Sequence, residues 1–285
     1  MDSGATYLYN RYIKQETKGS PGTHIKDKRK LTFEFYETDT FLDFRDLYIE
    51  FVKENQNDMF AAVSMDVINN AEMSYKSLKY IESKGAKVLP VYHLGSDEKW
   101  LKRYVDEGYD YLCIGGITPN PYEAIKESLD RIWGDILTDS NGMPKVKVHG
   151  LACTGFRLMW AYPWYSVDSA TWTKLGAWGG IYVPRTKKGV FDFTATPFGI
   201  QVSEKSSKLG VAGHHIETVG ENECKHINRW LDYIGIPYGG KEEPGVSNDY
   251  EFRMRANLAF YIEFSRALPE WPWPFITKGK RKRLI

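Results

Sequence analysis

The middle of the chain alternates short apolar runs with amphipathic segments, and this alternation restricts the fold more than any other feature. The apolar runs have the length of buried strands and lie at residues 61–65, 87–92, 111–114, 145–149 and 164–167. The segments between them carry apolar residues at helical spacing, as in 71–84 and 97–107. Strands and helices that repeat about every 25 residues predict βα units around a parallel sheet. We therefore expect an α/β fold.

Polar residues and glycines follow these strands at their carboxyl ends. They are Asp66, His93, Gly115-Gly116, His149-Gly150 and Asp168. Each of them alone fits an ordinary turn. In a TIM-type (β/α)8 barrel, however, the carboxyl ends of the strands face the active site, so their succession favours such a barrel with one catalytic face.

The tract from Val148 to Trp172 contains the most informative of these positions. Its last strand delivers Asp168 at its carboxyl end, followed by small residues and Trp172. A carboxylate in this place is a candidate nucleophile or acid/base catalyst. The alternative is an Asp that caps a helix or forms a turn, which is commoner after a strand.

The remainder of the chain follows a looser pattern. Residues 174–199 are rich in Gly and aromatic residues and predict a small β-ribbon, whereas 221–234 and 249–268 predict two C-terminal helices. We expect a catalytic barrel core in residues 1–200, and barrel-closing helices with a basic tail in residues 201–285, within one continuous domain.

The charge balance argues against a general polycation, because the formal net charge of the 285 residues is +1. Two local segments are nevertheless basic, Lys14–Lys30 and Lys278–Arg283. Either of them alone is explained by a solvated charge run. Together with an aromatic content of 15%, they favour a polyanionic partner that is held by phosphate neutralisation and base stacking.

The cysteine pattern and hydropathy bear on the compartment. Cys113, Cys153 and Cys224 lie far apart and form neither a disulfide framework nor a CxxC metal motif, which suits a reducing compartment. The sequence shows no signal peptide and no apolar run long enough to span a bilayer. We expect a cytoplasmic protein without a membrane partner.

Six short motifs occur in a fixed order within residues 1 to about 185. They are DSGA, SMDVI, PVYHLGS, YLCIGGI, VHGLACTG and YSVDSATW. In this order the chain resembles the tRNA-guanine transglycosylase superfamily, and it looks closest to the phage-type, DpdA-like DNA-guanine transglycosylases. The resemblance implies a (β/α)8-type barrel that exchanges guanine in DNA, or alternatively in tRNA, for a 7-deazaguanine such as 7-cyano-7-deazaguanine.

The resemblance also implies roles for individual residues. Asp168 matches the nucleophile and Asp2 the second catalytic aspartate, with Ser3 and Gly4 in a turn that contacts the base. Asp66 matches the carboxylate that recognises the guanine edge. The remaining positions that match base-binding sites are His93, Gly115, Gly116, His149 and Gly150.

The chemistry of base exchange accounts for these residue types. A carboxylate below the sugar can trap the oxocarbenium-like C1′ centre covalently, as in retaining glycosidases. A second acid protonates the departing purine. Guanine offers N1–H and N2–H donors to a carboxylate such as Asp66, and Gly-Gly lets the backbone approach a flat ring. A flipped base needs aromatic partners, for which the candidates are Tyr7, Tyr9, Trp164 and Trp172, although ordinary packing also explains them.

The sequence departs from the family pattern at three places. Relatives usually carry a strand before the DSG turn, so the gap would be filled by a second copy or a separate polypeptide, unless the barrel closes differently or the start is truncated. Thr6 stands where an aromatic residue often follows that turn. Many relatives bind a structural zinc ion. The ligand types for it are Cys224, His226, His214 and His215.

The expected cofactor set is therefore small. Cys224 and His226 are separated by two positions on a predicted helix and point to different faces, so we do not expect zinc unless other side chains complete the site. The exchange chemistry itself needs no cofactor.

Two other functions remain open at this point. The chain is alternatively a catalytically silent, nucleic-acid-binding subunit whose partner supplies the chemistry. The other hypothesis is an unrelated barrel enzyme that acts on a small phosphorylated metabolite. Against this hypothesis, no Gly-rich segment that could bind a phosphate follows the late strands.

Overall fold

A computed structural model describes most of the chain. The described residues are 4–16, 34–68, 70–117, 120–240 and 242–276. They combine helices with a parallel four-stranded sheet, which confirms the predicted α/β class. Among them, no helix has the length and apolar character needed to cross a membrane.

The chain divides into two compact units. Unit 1 comprises Met1–Leu151, Tyr162–Val167 and Pro274–Ile285, and unit 2 comprises Ala152–Ala161 and Asp168–Trp273. The expected functional division of the chain near residue 200 stays a prediction.

In the described part of unit 1 the sheet has four parallel strands, which lie side by side in sequence order. They are β1 (Val91–His93), β2 (Tyr111–Gly115), β3 (Lys147–Gly150) and β4 (Ser166–Val167). Ahead of β1, Val63 forms an isolated parallel bridge with Leu89, so the predicted strand at 61–65 is reduced to this short pairing. The order of the strands contains no reversal of the kind that divides a doubly wound sheet into two halves.

Helices lie both before and between the strands of unit 1. The first two, α1 (Ala5–Glu16) and α2 (Asp39–Asn55), precede the Val63–Leu89 bridge, and the alternation in the sequence did not predict them. The alternation did predict the helices that connect successive strands, α3 (Ala71–Ser83), α4 (Lys99–Asp106) and α5 (Tyr122–Ile132). The Asn70 side chain accepts a hydrogen bond from the Met73 N–H at 3.0 Å and caps the start of α3. A π-helical turn, Trp133–Leu137, prolongs α5.

The two faces of this sheet differ in chemistry. Residues that are partners in register share a face, and the faces alternate along each strand. Leu112, Ile114 and Val148 lie on one face and are fully buried. Burial of each such side chain contributes roughly 1.5–3 kcal/mol. The other face carries His149 and Ser166, so it combines polar with apolar side chains and can hold a site.

Aromatic packing ties the end of the described chain to unit 1. The Trp133 ring contacts Trp164 at a centroid distance of 5.4 Å, and Tyr162 stacks on Phe275 at 5.6 Å. The Phe275 N–H donates a hydrogen bond to the Gly142 carbonyl at 2.8 Å. The C-terminal Trp-Pro segment therefore leads into a residue that belongs to this core.

The described part of unit 2 combines four α-helices with two antiparallel pairs of strands. The helices are α6 (Phe156–Ala161), α7 (Thr171–Ala177), α8 (Glu221–Ile234) and α9 (Tyr250–Ala267). The strands are β5 (Gly180–Val183), β6 (Arg185–Lys187), β7 (Val190–Asp192) and β8 (Phe198–Gln201), paired as β5 with β8 and β6 with β7. Both predicted C-terminal helices are confirmed.

One prediction for this region is wrong in part, because residues 174–177 belong to α7 and not to the β-ribbon. Close packing against α9 requires glycine at this position of the helix, because a Cβ at Gly176 would lie 2.9 Å from the backbone N of Met254. The buried Arg253 also donates from its Nε to the Gly176 carbonyl at 2.7 Å. These tertiary contacts override the glycine-rich composition of the segment.

The contact between α3 and α4 predicts acid-sensitive stability. Burial alone would raise the pKa of Glu107, but hydrogen bonds from Arg103, Tyr75 and Lys79 outweigh burial and lower that pKa to about 2. Because the pKa is depressed in the folded state, the stabilisation is present above the ordinary value of 4.5 and is lost as pH falls towards about 2.

We expect Glu107→Gln to lower the free energy of unfolding by about 1–2 kcal/mol at pH 7. The difference from the wild type should shrink at pH 3. Urea denaturation at both values measures it, with the exposed Glu54 changed to Gln as the matched control. An equal difference at pH 7 and pH 3 would contradict the role of the Glu107 carboxylate.

Candidate active site

The Asp66 and His93 side chains meet at the carboxyl edge of the parallel sheet in unit 1. The distance between His93 Nε2 and Asp66 Oδ2 is 2.6 Å, and the two side chains are 22% and 17% exposed. Asp66 follows the segment that bridges to Leu89, and His93 ends β1. The structure thus brings together two residues that the sequence places after neighbouring strands.

Two side chains outside the sheet, Tyr36 and Ser77, fix the loop that carries Asp66. Tyr36 donates its hydroxyl hydrogen to the Asp66 carbonyl at 3.1 Å and accepts the Ile68 N–H at 3.2 Å. Ser77 Oγ donates to the Met65 carbonyl at 2.7 Å. Burial raises the pKa of Tyr36, so its hydroxyl remains protonated and can act as the donor.

The Gly115-Gly116 pair has an evident structural role. His93 and Gly115 are partners in register, and a Cβ at Gly115 would lie 3.2 Å from His93 Nε2. Gly116 has a φ of +75°, and a Cβ there would lie 3.2 Å from the backbone N of Leu94. Both glycines therefore make room for the segment that carries His93.

His149 belongs to a different hydrogen-bonded group in unit 1. Ser166 Oγ lies 2.6 Å from His149 Nδ1 and 2.6 Å from the Tyr111 hydroxyl oxygen. The three side chains line a cavity of about 290 Å³ together with apolar residues such as Phe60 and Leu89. Their common face follows from register, because His149 pairs with both Cys113 and Ser166.

Asp168 directly follows β4 and is the first residue of the second segment of unit 2. Its Oδ1 accepts the backbone N–H of Ala152 at 2.7 Å, and the residue is exposed. Ala152 has a φ of +54°, a left-handed conformation that costs an L-residue about 1–2 kcal/mol. The Asp168 carboxylate is therefore oriented by a strained backbone amide.

The loop that contains Ala152 is anchored within unit 2. Thr154 Oγ1 hydrogen-bonds Ser169 Oγ, and the Tyr261 hydroxyl donates to the Thr154 carbonyl at 3.3 Å. Cys153, which lies between Ala152 and Thr154 in the sequence, is fully buried. Burial, and secondarily the charge of Asp168, raises the pKa of the Cys153 thiol to about 12, so this cysteine stays a neutral packing residue.

The remaining predicted base-binding residues either lie in unit 1 or fall outside the residues that the structure describes. Gly4 has a φ of +74°, and its carbonyl accepts the Tyr7 N–H at the start of α1. Gly150 ends β3 opposite Val167. Asp2 and Ser3 lie outside the described residues.

The four candidate zinc ligands are directed to separate partners in unit 2. Cys224 Sγ lies 3.3 Å from the Ile216 carbonyl, and His226 Nε2 lies 2.8 Å from the Pro184 carbonyl. The buried His215 has Nε2 3.1 Å from the Ser203 carbonyl, whereas His214 is exposed. Across the described ranges, no group of three or more His, Cys, Asp or Glu side chains could hold a metal ion.

Some residues at these positions escaped the sequence analysis. Tyr36, which precedes α2, and Ser77 on α3 bind the loop of Asp66, whereas Tyr111 and Ser166, each the first residue of a strand, form the hydrogen-bonded group with His149. Strand periodicity was the sequence signal that could have indicated Tyr111 and Ser166. It places both residues on the face of His149, but only when the register of the strands is known.

Comparison with protein-family models, with curated proteins and with solved structures finds no match for this chain. Functional conclusions therefore depend on the residues and their geometry.

The close approach of Gly115 and His93 predicts the effect of a methyl group. We expect Gly115→Ala to displace the His93 ring, lengthen its hydrogen bond to Asp66 and lower the free energy of unfolding by about 1–3 kcal/mol. The imidazole NMR signals of His93 and urea denaturation measure the two effects. Gly199→Ala is the matched control, because among the described residues no atom beyond its own chain neighbours lies within 4 Å of a Cβ at Gly199. Unchanged His93 signals in Gly115→Ala would contradict the described packing.

Proposed function

We propose that the protein is a guanine transglycosylase that replaces guanine in DNA with a 7-deazaguanine base. The observation that carries the proposal is the contact between His93 Nε2 and Asp66 Oδ2 at 2.6 Å. The two residues lie at the carboxyl edge of a parallel sheet whose strands follow one another in sequence order. This edge is where barrel enzymes hold their substrates. The order of the six sequence motifs, through the resemblance to guanine transglycosylases, supports the proposed reaction class.

The proposed architecture is a (β/α)8-type barrel. Its support is the sequence order of four parallel strands, each joined to the next by a segment that contains a helix. In a (β/α)8 barrel the parallel strands lie side by side in sequence order, whereas the strand order of an open doubly wound sheet reverses.

In the proposed recognition step, Asp66 binds the Watson–Crick edge of guanine. A carboxylate can accept both N1–H and N2–H, and a charged acceptor makes such hydrogen bonds stronger than a neutral one. His93 fixes the rotamer of Asp66 through the hydrogen bond to Oδ2. Tyr36 fixes the backbone of the same residue, so the acceptor is oriented before the base arrives.

In the proposed chemical step, an Asp168 oxygen attacks C1′ of the deoxyribose while the N-glycosidic bond breaks. The bond electrons leave with guanine, which takes a proton from a second acid; the resemblance assigns this role to Asp2. The second acid, now deprotonated, takes the N9–H proton of the incoming 7-deazaguanine, whose nitrogen attacks C1′ while Asp168 leaves as a carboxylate. The Ala152 N–H orients Asp168 for the first attack.

A base-exchange assay tests the proposal. Duplex DNA and tRNA are incubated separately with labelled 7-cyano-7-deazaguanine, and label in the polymer is measured. We expect label in DNA, and a loss of about a thousandfold or more in Asp168→Asn because the nucleophile is removed. The exposed Asp106 changed to Asn is the matched control.

The alternatives give different results in this assay. Label in tRNA alone would favour the tRNA enzyme, and polymer binding without exchange would favour the silent subunit. Absence of both binding and exchange would favour an enzyme that acts on a small metabolite.

Asp66→Asn separates recognition from chemistry. An amide offers one acceptor atom where the carboxylate offers two, so we expect the KM for the free base to rise about 10- to 100-fold. The affinity for the polymer, measured by filter binding, should change much less. Equal losses of both affinities would show that Asp66 has only a structural role.

A further inference from the structure

A two-stranded hairpin of unit 2 presents an unbroken run of exposed residues. β6 and β7 pair in an antiparallel manner and are joined by Lys188-Gly189. Every residue from Arg185 to Val190 is exposed, and Val190 is 68% exposed. Both faces of this ribbon therefore reach solvent near its tip.

One face of the hairpin is fixed on α8. The Phe191 ring contacts Trp230 at a centroid distance of 5.5 Å and Tyr233 at 5.3 Å. Arg229 donates from Nη2 to the Gly189 carbonyl at 2.6 Å, and its guanidinium lies 4.7 Å from the Phe191 ring centroid. These contacts hold the turn in one place, so the hairpin is a positioned ribbon.

The opposite face is basic. Register places Arg185, Lys187 and Val190 on the face that does not carry Phe191. Within the described part of the chain, no carboxylate forms an ion pair with Arg185, Lys187 or Lys188.

The acidic residue of this face is engaged elsewhere. The Asp192 carboxylate accepts hydrogen bonds from the N–H and hydroxyl of Thr194. The Thr194 hydroxyl, together with the nearby charge of Lys187, holds the pKa of Asp192 below its usual value. Asp192 therefore offsets only part of the basic charge on this face.

Lys188 adopts an unfavourable backbone conformation for its residue type. Its φ is +53° and that of Gly189 is +80°, as in the type I′ turns that favour Asn-Gly. A left-handed conformation costs lysine about 1–2 kcal/mol, and Asn tolerates it better. The sequence thus keeps a cation at the tip where a less strained residue would serve the turn alone.

We propose that this basic hairpin binds the phosphate backbone of double-stranded DNA. The inference extends the proposed function, because an enzyme that modifies a base in DNA needs a surface for the phosphates around it. A two-stranded ribbon also fits the width of the major groove. Positive charge without ion-pair partners matches a polyanion, and Val190 adds an apolar contact at the tip.

The salt dependence of binding tests the hairpin. The affinity for a 20-base-pair duplex is measured by fluorescence anisotropy between 50 and 200 mM KCl. Each phosphate contact contributes about 0.9 to the slope of log K against log salt. We expect Arg185→Gln/Lys187→Gln/Lys188→Gln to lower the slope by about two to three. An unchanged slope, or no DNA binding by the wild type, would overturn the proposal.

The control removes the same charge elsewhere. Lys53, Lys76 and Lys99 are exposed and ion-paired with Glu50, Glu72 and Asp97. The triple change of these lysines to Gln should leave the slope within experimental error. An equal loss of slope in the control would show that only net charge matters and would overturn a specific role for the hairpin.

Lys188→Asn separates binding from folding. We expect this variant to match or exceed the wild type in thermal stability, because Asn tolerates the left-handed conformation, and to bind DNA about 3- to 10-fold more weakly at 100 mM KCl. Full DNA affinity in this variant would contradict a contact by Lys188.

Two further measurements distinguish the partners and the two proposals. A hairpin variant that loses affinity for anionic phosphatidylserine vesicles or duplex RNA, but not for DNA, would overturn the choice of partner. The base-exchange assay on the wild type is independent of the salt slope. A hairpin-dependent slope without exchange would sink the transglycosylase proposal and leave the DNA-binding surface standing.

Discussion

Backbone hydrogen bonds between consecutive parallel strands set the positions of the candidate residues His93, Gly115, His149 and Gly150 in unit 1. The Ser64 N–H donates to the Leu89 carbonyl at 2.9 Å, and the same pattern continues through β1, β2, β3 and β4. This ladder places Gly115 beside His93 and Ser166 beside His149. A slip of one residue would turn each of these side chains to the apolar face, where polar groups would lose their partners.

The sequence was sufficient for the helices between the strands and for the two C-terminal helices, because buried side chains at a period near 3.6 residues mark them directly, but it missed α1, α2 and α7. Both C-terminal helices follow this rule, and α8 has the predicted bounds. The proximity of Asp66 and His93 was also predictable, since neighbouring parallel strands end at one edge. The role of Gly115 was not, because it depends on register. The same holds for the Ala152 N–H that reaches Asp168, which requires a positive φ that no sequence period encodes.

Strain and polarity occur together in unit 2. Among the described residues, Ala152 and Lys188 are the non-glycine residues with positive φ. One of them donates its amide to Asp168, and the other carries a cation at the tip of a hairpin. Strained backbone persists where the surroundings hold it, and it concentrates at functional positions. In unit 1 the polar groups are instead held without such strain, because Tyr36 and Ser77 satisfy the loop around Asp66.

The interrupted path of the chain has a consequence for dissecting the protein. The polypeptide leaves unit 1 after Leu151, returns for Tyr162–Val167 and departs again at Asp168. A fragment that stops at Leu151 would lack the last strand of the parallel sheet and would expose the edge of β3 to aggregation. Autonomous folding of either half therefore cannot be probed by a simple truncation. Separate expression of the two units requires fragment complementation, or a circular permutation that keeps Tyr162–Val167 with unit 1.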